Sequence, residues 1–276
     1  MTKHSFKMAA TLLLLAQCTL GFAAHAGDSV EKLLNLSGAY KAVDSLPDAL
    51  KGGLQQGKAN MPPAVFEKMV SSVDDFITPA AIKKPLNAEV KKALSEKEVT
   101  ELLVWYSSDL GQEMVAAEAK SATVEGYAQM QQQAQKLFAD APRVEMAKNY
   151  DVLIGATDAM IDMQVSSTAA MYSAMATISN PGVPADLSKF KSMIAPQMAP
   201  MRSQMESMII MSFVYAHQAT DMDKLKKYET FLNTPTAIKF NKVAMKAMLG
   251  GFEQTVVQWA GKLPQVVKAA ATATAK

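Results

Sequence analysis

Trp105-Tyr106-Ser107-Ser108-Asp109-Leu110-Gly111-Gln112-Glu113-Met114 reads as the junction of two helices. An aromatic pair closes the first helix, two serines break the chain, and the second helix starts at Asp109. The Ser108 hydroxyl is placed to accept a hydrogen bond from one of the unpaired N–H groups of the next turn. Asp109 puts negative charge at the positive end of that helix. Gly111 has no side chain, so another helix can approach closely there, and Trp105 and Tyr106 bring large apolar area beside the gap. All of this is folding chemistry, and no catalytic constellation lies in it.

Outward from this junction the chain favours helix almost throughout, because alanine, leucine, methionine, lysine and glutamine dominate and β-branched alternation is scarce. Upstream, Ser29–Leu46 is predicted as one helix ended or restarted by Pro47. Gly52, Gly53 and Gly57 loosen the chain before Met61-Pro62-Pro63, and the next helix turns Phe66, Met69 and Val73 inward. Pro79 and Pro85 are expected to cut that helix from a short piece at Asn87–Leu94. Ser95 and Glu98 fit a capping box. Downstream, Asp109 to Asp140 and Pro142 to Ile178 are each predicted as one long helix, the second ended by Asn180-Pro181-Gly182. Pro196 and Pro200 interrupt the next helix early, and Met201–Gln218 then runs unbroken.

The junction recurs. With Phe231 set under Trp105, Leu225 falls under Val99, Tyr228 under Leu102 and Leu232 under Tyr106. Asn233-Thr234-Pro235 falls under Ser107-Ser108-Asp109, Ala237 under Gly111, Phe240 under Met114 and Val243 under Ala117. Pro235 suits a first helical position, where its missing N–H costs nothing. The expected architecture is an all-α bundle of eight to ten helices in two related halves, 27–140 and 141–268, followed by a frayed tail at 269–276.

At these residues the chain resembles the exported bacterial family called domain of unknown function 2059. Its motif is an aromatic-Tyr/Leu-Ser-x-Pro-x-Gly break between two helices. Trp105–Gln112 follows it with Asp109 in the place of the proline, and Phe231–Pro235 restores the proline with Ala237 for the glycine. Val30-Glu31-Lys32-Leu33-Leu34 is similar to the family's opening. The resemblance covers about a third of the mature chain. It implies an all-helical exported protein and transfers no catalytic residue.

The N-terminus reads as a secretory leader at 1–26. Lys3 and Lys7 precede an apolar run, and Ala24-His25-Ala26 fits a signal-peptidase site, so cleavage is expected after Ala26 and the location is periplasmic or secreted. Cys18, His4 and His25 leave with it. The remaining chain then has no cysteine and one histidine, His217, which excludes disulfides, cysteine nucleophiles and a Cys/His zinc site within one chain. Lys3 and Lys7 account for the formal charge of +2, and Arg143 and Arg202 are the only arginines, so the clustered cations that nucleic acid demands are missing. The longest later apolar run, Met208–Ala216, is too short to span a bilayer.

Three sets of residues carry candidate chemistry. Met198, Met201, Met205, Met208 and Met211 form a stripe within a region, Met160–Met211, that holds ten methionines. The simplest reading is a methionine-rich core; the others are a deformable binding face and a Cu(I) site. Asp151, Asp158 and Asp162 share one face of the predicted long helix, as a solvated stripe, a hard-cation site or a carboxylate pair for hydrolysis. His217 is expected to satisfy carbonyls at its helix end. Gly52-Gly53 and Gly250-Gly251 lack the context of phosphate loops.

The sequence therefore predicts a non-enzymatic envelope protein that binds another protein or an apolar ligand beside the methionine stripe, without cofactor or metal. A hydrolase or cation-binding protein built on the acidic face, and a structural homo-oligomer, are the alternatives.

Overall fold

At the 105–114 junction the chain turns as its capping residues dictate. In the computed structural model the Gly111 amide donates to the Ser108 hydroxyl at 3.0 Å, and that hydroxyl donates back to the Trp105 carbonyl at 2.6 Å. A Cβ on Gly111 would lie 2.2 Å from the same carbonyl, so the close approach is made by the end of the preceding helix. Upstream, Ser95 and Glu98 form the full capping box.

The structure describes residues 22–60, 62–179 and 187–274, and every regular element among them is helical. In chain order these are α1 (Phe22–Leu36), α2 (Ala39–Leu54), a 3-10 turn (Gln55–Asn60), α3 (Pro63–Phe76), α4 (Pro79–Ala93), α5 (Glu96–Tyr106) and α6 (Asp109–Ser121). There follow α7 (Val124–Gln132), α8 (Ala134–Ala139), α9 (Ala141–Ile154), α10 (Ala156–Ser179), α11 (Leu187–Ile194), a second 3-10 turn (Ala195–Met198), α12 (Ala199–Ala216), α13 (Met222–Leu232) and α14 (Pro235–Thr274). The first 21 residues of the expected leader and the Asn180-Pro181-Gly182 stop lie outside the described residues. Gly27, the expected mature start, falls inside α1, and the tail expected to fray from Ala269 is helical as far as Thr274.

The all-α prediction holds, with more helices than expected because three predicted long helices are divided. Ser29–Leu46 breaks at Ser37-Gly38 and Pro142–Ile178 at Gly155; these two glycines take φ of +79° and +68°, a left-handed conformation that costs other residues energy. The segment from Asp109 to Asp140 breaks at Ala122-Thr123, where Thr123 accepts from the Gly126 amide at 3.0 Å and caps α7, and again at Gln133. In the opposite sense, Pro85 does not cut the chain. It sits inside α4, where one lost backbone bond is tolerated because Ile82, Leu86 and Val90 around it are completely buried.

One large core cluster joins α1 to α5 with α14, which packs along α3, α4 and α10. Its centre is Trp259, wholly buried, whose indole N–H donates to the Ser72 hydroxyl at 2.8 Å. Smaller clusters gather Met114, Tyr150, Leu225 and Tyr228 from α6, α9 and α13, and Met130, Leu137, Ile210 and Val214 from α7, α8 and α12.

The recurring segments fold alike. α5 and α13 cover the same positions in the register that sets Phe231 on Trp105, as do the starts of α6 and α14. Thr234 repeats Ser108: its hydroxyl accepts from the Ala237 amide at 3.2 Å and donates to the Phe231 carbonyl at 2.8 Å. The two hairpins also pack on each other reciprocally. The equivalent residues Trp105 and Phe231 stack with centroids 4.4 Å apart and planes 8° from parallel. Glu98 pairs with Lys239 at 2.8 Å and Glu113 with Lys224 at 2.6 Å. Lys224 is the register equivalent of Glu98, and Lys239 that of Glu113, so the two ion pairs exchange under the register. A self-contact plus an exchanged pair of contacts marks a local two-fold axis between the hairpins.

Candidate functional site

Beyond the reciprocal contacts, the equivalent helices α6 and α14 line a cavity of about 680 Å³, a size suited to a small organic ligand. α6 contributes Val115, Glu118, Ala119 and Ala122 at its end; α14 contributes Asn241, Ala244, Met245 and Met248. These are register equivalents, one for one. Tyr106 and its equivalent Leu232 line the inner part with Phe240, while α9 and α12 add Tyr150, Ile154, Phe213 and Ala216. Lys41 and Ser45, exposed on α2, stand at the edge.

The polar groups are few. Tyr228 donates its hydroxyl to Glu118 Oε1 at 2.9 Å. Burial, and then the negative charge of Glu118, push the Tyr106 and Tyr228 hydroxyls well above the ordinary tyrosine range, so both remain protonated. Burial first, then Glu229 and Glu118, does the same to Tyr150, which donates to the Leu225 carbonyl at 2.7 Å. Asp151, also in the wall, has both carboxylate oxygens engaged, by the Thr157 amide at 2.8 Å and the Thr157 hydroxyl at 2.6 Å. Asn241 presents a buried Nδ2 with no hydrogen-bond partner.

Behind Glu118 lies His217, completely buried, its Nε2 3.6 Å from Glu118 Oε1 and without a hydrogen-bond partner; Nδ1 is 3.4 Å from the Thr220 hydroxyl. The ring points inward against Phe213 instead of satisfying its helix end. Arg143 takes the role expected of His217, donating Nε to the His217 carbonyl at 3.1 Å and Nη2 to the Thr220 carbonyl at 2.7 Å.

The methionine stripe is divided among three environments. Met198 and Met205 are buried with Val165 and Ile194, and Met211 is buried with Ile210 and Val214. Met201 is 43% exposed. Met208 lines a smaller recess of about 190 Å³ with Tyr127, Met130 and Met160, which shares Ser121, Ala122, Thr123, Ile209 and Ser212 with the large cavity.

The three aspartates do not form one face, because Gly155 separates Asp151 on α9 from Asp158 and Asp162 on α10. Asp151 caps the start of α10, Asp158 pairs with Arg202 at 2.7 Å and is 68% exposed, and Asp162 is exposed. Among the described residues no group of three or more metal-ligating side chains converges, and no helix is long and apolar enough to cross a membrane.

Of the junction residues, Tyr106 reaches the cavity, while Trp105, Ser108, Gly111, Phe231, Thr234 and Ala237 build the seam that ends in it. Glu118 and Asn241 escaped the sequence reading. The signal that could have found them was the repeat register carried to the neighbouring cavity positions, where a carboxylate meets an alanine and an amide meets a valine.

Fold and cavity together define an all-helical protein with a half-open, mostly apolar cavity between two equivalent helices. Residues 91–140, which supply α5 to α8 and one wall of that chamber, match the model of a family described as "Uncharacterized protein conserved in bacteria (DUF2059)", the family that the 105–112 motif resembles. No curated protein and no solved structure matches the chain.

Proposed function

We propose that this chain is an exported, non-enzymatic helical protein of the bacterial envelope that binds a small apolar ligand in the chamber between α6 and α14. One observation carries the reading: a cavity of about 680 Å³ with a mostly apolar lining and a few polar groups, set between helices whose core residues are otherwise packed. The ligand belongs there rather than on the methionine stripe, since Met198, Met205 and Met211 are spent on cores and only Met208 borders a recess. The acidic-face alternative loses support because Asp158 and Asp162 are exposed and outside the cavity wall. Cleavage after Ala26 and a periplasmic or secreted location are part of the proposal and rest on the leader pattern. So is descent of the halves 27–140 and 141–268 from one helical plan, supported by the reciprocal contacts of the two hairpins.

The test is saturable binding of a neutral fluorescent probe, N-phenyl-1-naphthylamine, to the purified protein. Ala244→Trp and, from the opposite wall, Ala119→Leu should each weaken binding about tenfold or more by occupying the chamber, with an unchanged circular dichroism spectrum. Absence of saturable binding, or equal binding in both folded variants, overturns the reading.

A further inference from the structure

The walls of the chamber are equivalent in position but not in chemistry. Where α14 has Ala244, α6 has Glu118; where α6 has Val115, α14 has Asn241. Glu118 holds one hydrogen bond from Tyr228, and among the described residues its only ion-pair partner is His217, an imidazole that carries charge only when protonated. No lysine or arginine lies within ion-pair distance of it among those residues. Asp151, the other carboxylate in the wall, is committed to Thr157, and Lys41 lies exposed on α2.

We propose that the ligand of this chamber is an organic cation, an amine or quaternary ammonium with an apolar body, whose positive head lies against the Glu118 carboxylate. This rests on the ligand-binding reading above and names its chemical class. The Glu118 carboxylate, half-buried in a mostly apolar wall, has one tyrosine hydrogen bond and, among the described residues, no cationic side chain beside it, so a ligand can supply the counter-charge. Tyr106, Tyr150 and Tyr228 line the same chamber, and aromatic rings add quadrupole attraction for ammonium groups. The apolar body fits between Ala119, Ala122, Met245 and Met248, where no charge opposes it. An anionic amphiphile would have to place its head beside Glu118 or seek Lys41 at the edge.

The purified protein is titrated by calorimetry, below micelle concentrations, with decyltrimethylammonium, decanol and decyl sulfate. The cation should bind at least about tenfold more tightly than the alcohol, and the sulfate more weakly than either. Glu118→Gln, an isosteric change, should reduce the cation to the affinity of the alcohol and leave the naphthylamine probe bound. Glu145→Gln, an exposed carboxylate outside the wall, should change nothing. Equal affinity of cation and alcohol, preference for the sulfate, or a cation preference that survives Glu118→Gln each overturn the proposal. The first of these with probe binding intact leaves the ligand-binding reading standing. Failure of all three amphiphiles and of the probe removes both.

Discussion

Trp259 gives the most direct check on how α14 is seated against α3. Its side chain is fully buried, and its N–H donates at 2.8 Å to Ser72, whose hydroxyl donates at 2.7 Å to the Met69 carbonyl. Replacing Trp259 by Phe removes the donor and part of the ring while keeping an aromatic core. The lost hydrogen bond is worth about 1 kcal/mol, and two buried ring carbons about 0.8 kcal/mol each. Incomplete collapse of the space raises the expected loss to about 2–4 kcal/mol. For a chain of this size that lowers the melting temperature by about 5–15 °C.

The companion variant, Ser72→Ala, strands the buried indole N–H and should cost about 1–3 kcal/mol. If the bond exists, the double variant loses about 1 kcal/mol less than the two singles together. Urea unfolding of the four proteins measures this, and in the Trp259→Phe background Trp105 is the sole tryptophan reporter. A Trp259→Phe protein within about 0.5 kcal/mol of the parent, or strictly additive singles, would refute this seating of α14.

Two further outcomes follow from local geometry. The hydrogen bond from Lys239, then those within the capping box, hold the Glu98 carboxyl down to about 2, below its ordinary 4.5, so its stabilising contribution is complete above about pH 4.5 and disappears as pH falls toward 2. Titration followed by carboxyl NMR should show this low midpoint, and Lys239→Ala should raise it toward the ordinary value. Gly155→Ala should cost about 1–2 kcal/mol for a left-handed residue in open space, whereas Gly38→Ala should cost more, since its new Cβ would meet Val115 Cγ1 at 3.2 Å. Urea midpoints in the reverse order would contradict the described backbone.

What could be read in the sequence was what the chain decides locally. Ser95 with Glu98, Ser108 with Gly111 and Thr234 with Ala237 are complete within four residues, and each cap forms as its side chains demand. The breaks at Gly38 and Gly155 were harder, because a glycine flanked by good helix formers signals a left-handed turn only when the packing on both sides requires the chain to change direction. His217 failed for a related reason. Its place near a helix end suggested capping, but Arg143, far away in sequence, supplies both donors and frees the ring to turn inward. Glu118 was the least legible of all. In Ala116-Ala117-Glu118-Ala119-Lys120 it looks like a solvated helix residue, and only the opposing hairpin shows what it faces.

That opposing hairpin also separates what the fold needs from what it does not. Two copies of one helical hairpin meet at Trp105 and Phe231, and large side chains fill the inner end of the junction, with Met114 and Phe240 both buried. Farther along, α6 offers Ala119 and Ala122 where α14 offers Met245 and Met248, and the helices leave an open cleft instead of closing on each other. At the position equivalent to Glu118, α14 carries Ala244, and that hairpin still caps and turns as its counterpart does. At the equivalent place on α6, Glu118 accepts from the buried Tyr228 hydroxyl, whose register equivalent Leu102 has nothing to donate, so the carboxylate answers a hydrogen bond that α14 does not need. That hydrogen bond brings no positive charge, and the neighbouring His217 Nε2 has no hydrogen-bond partner, so the proposed cation site rests on the charge of Glu118 and not on its part in the packing.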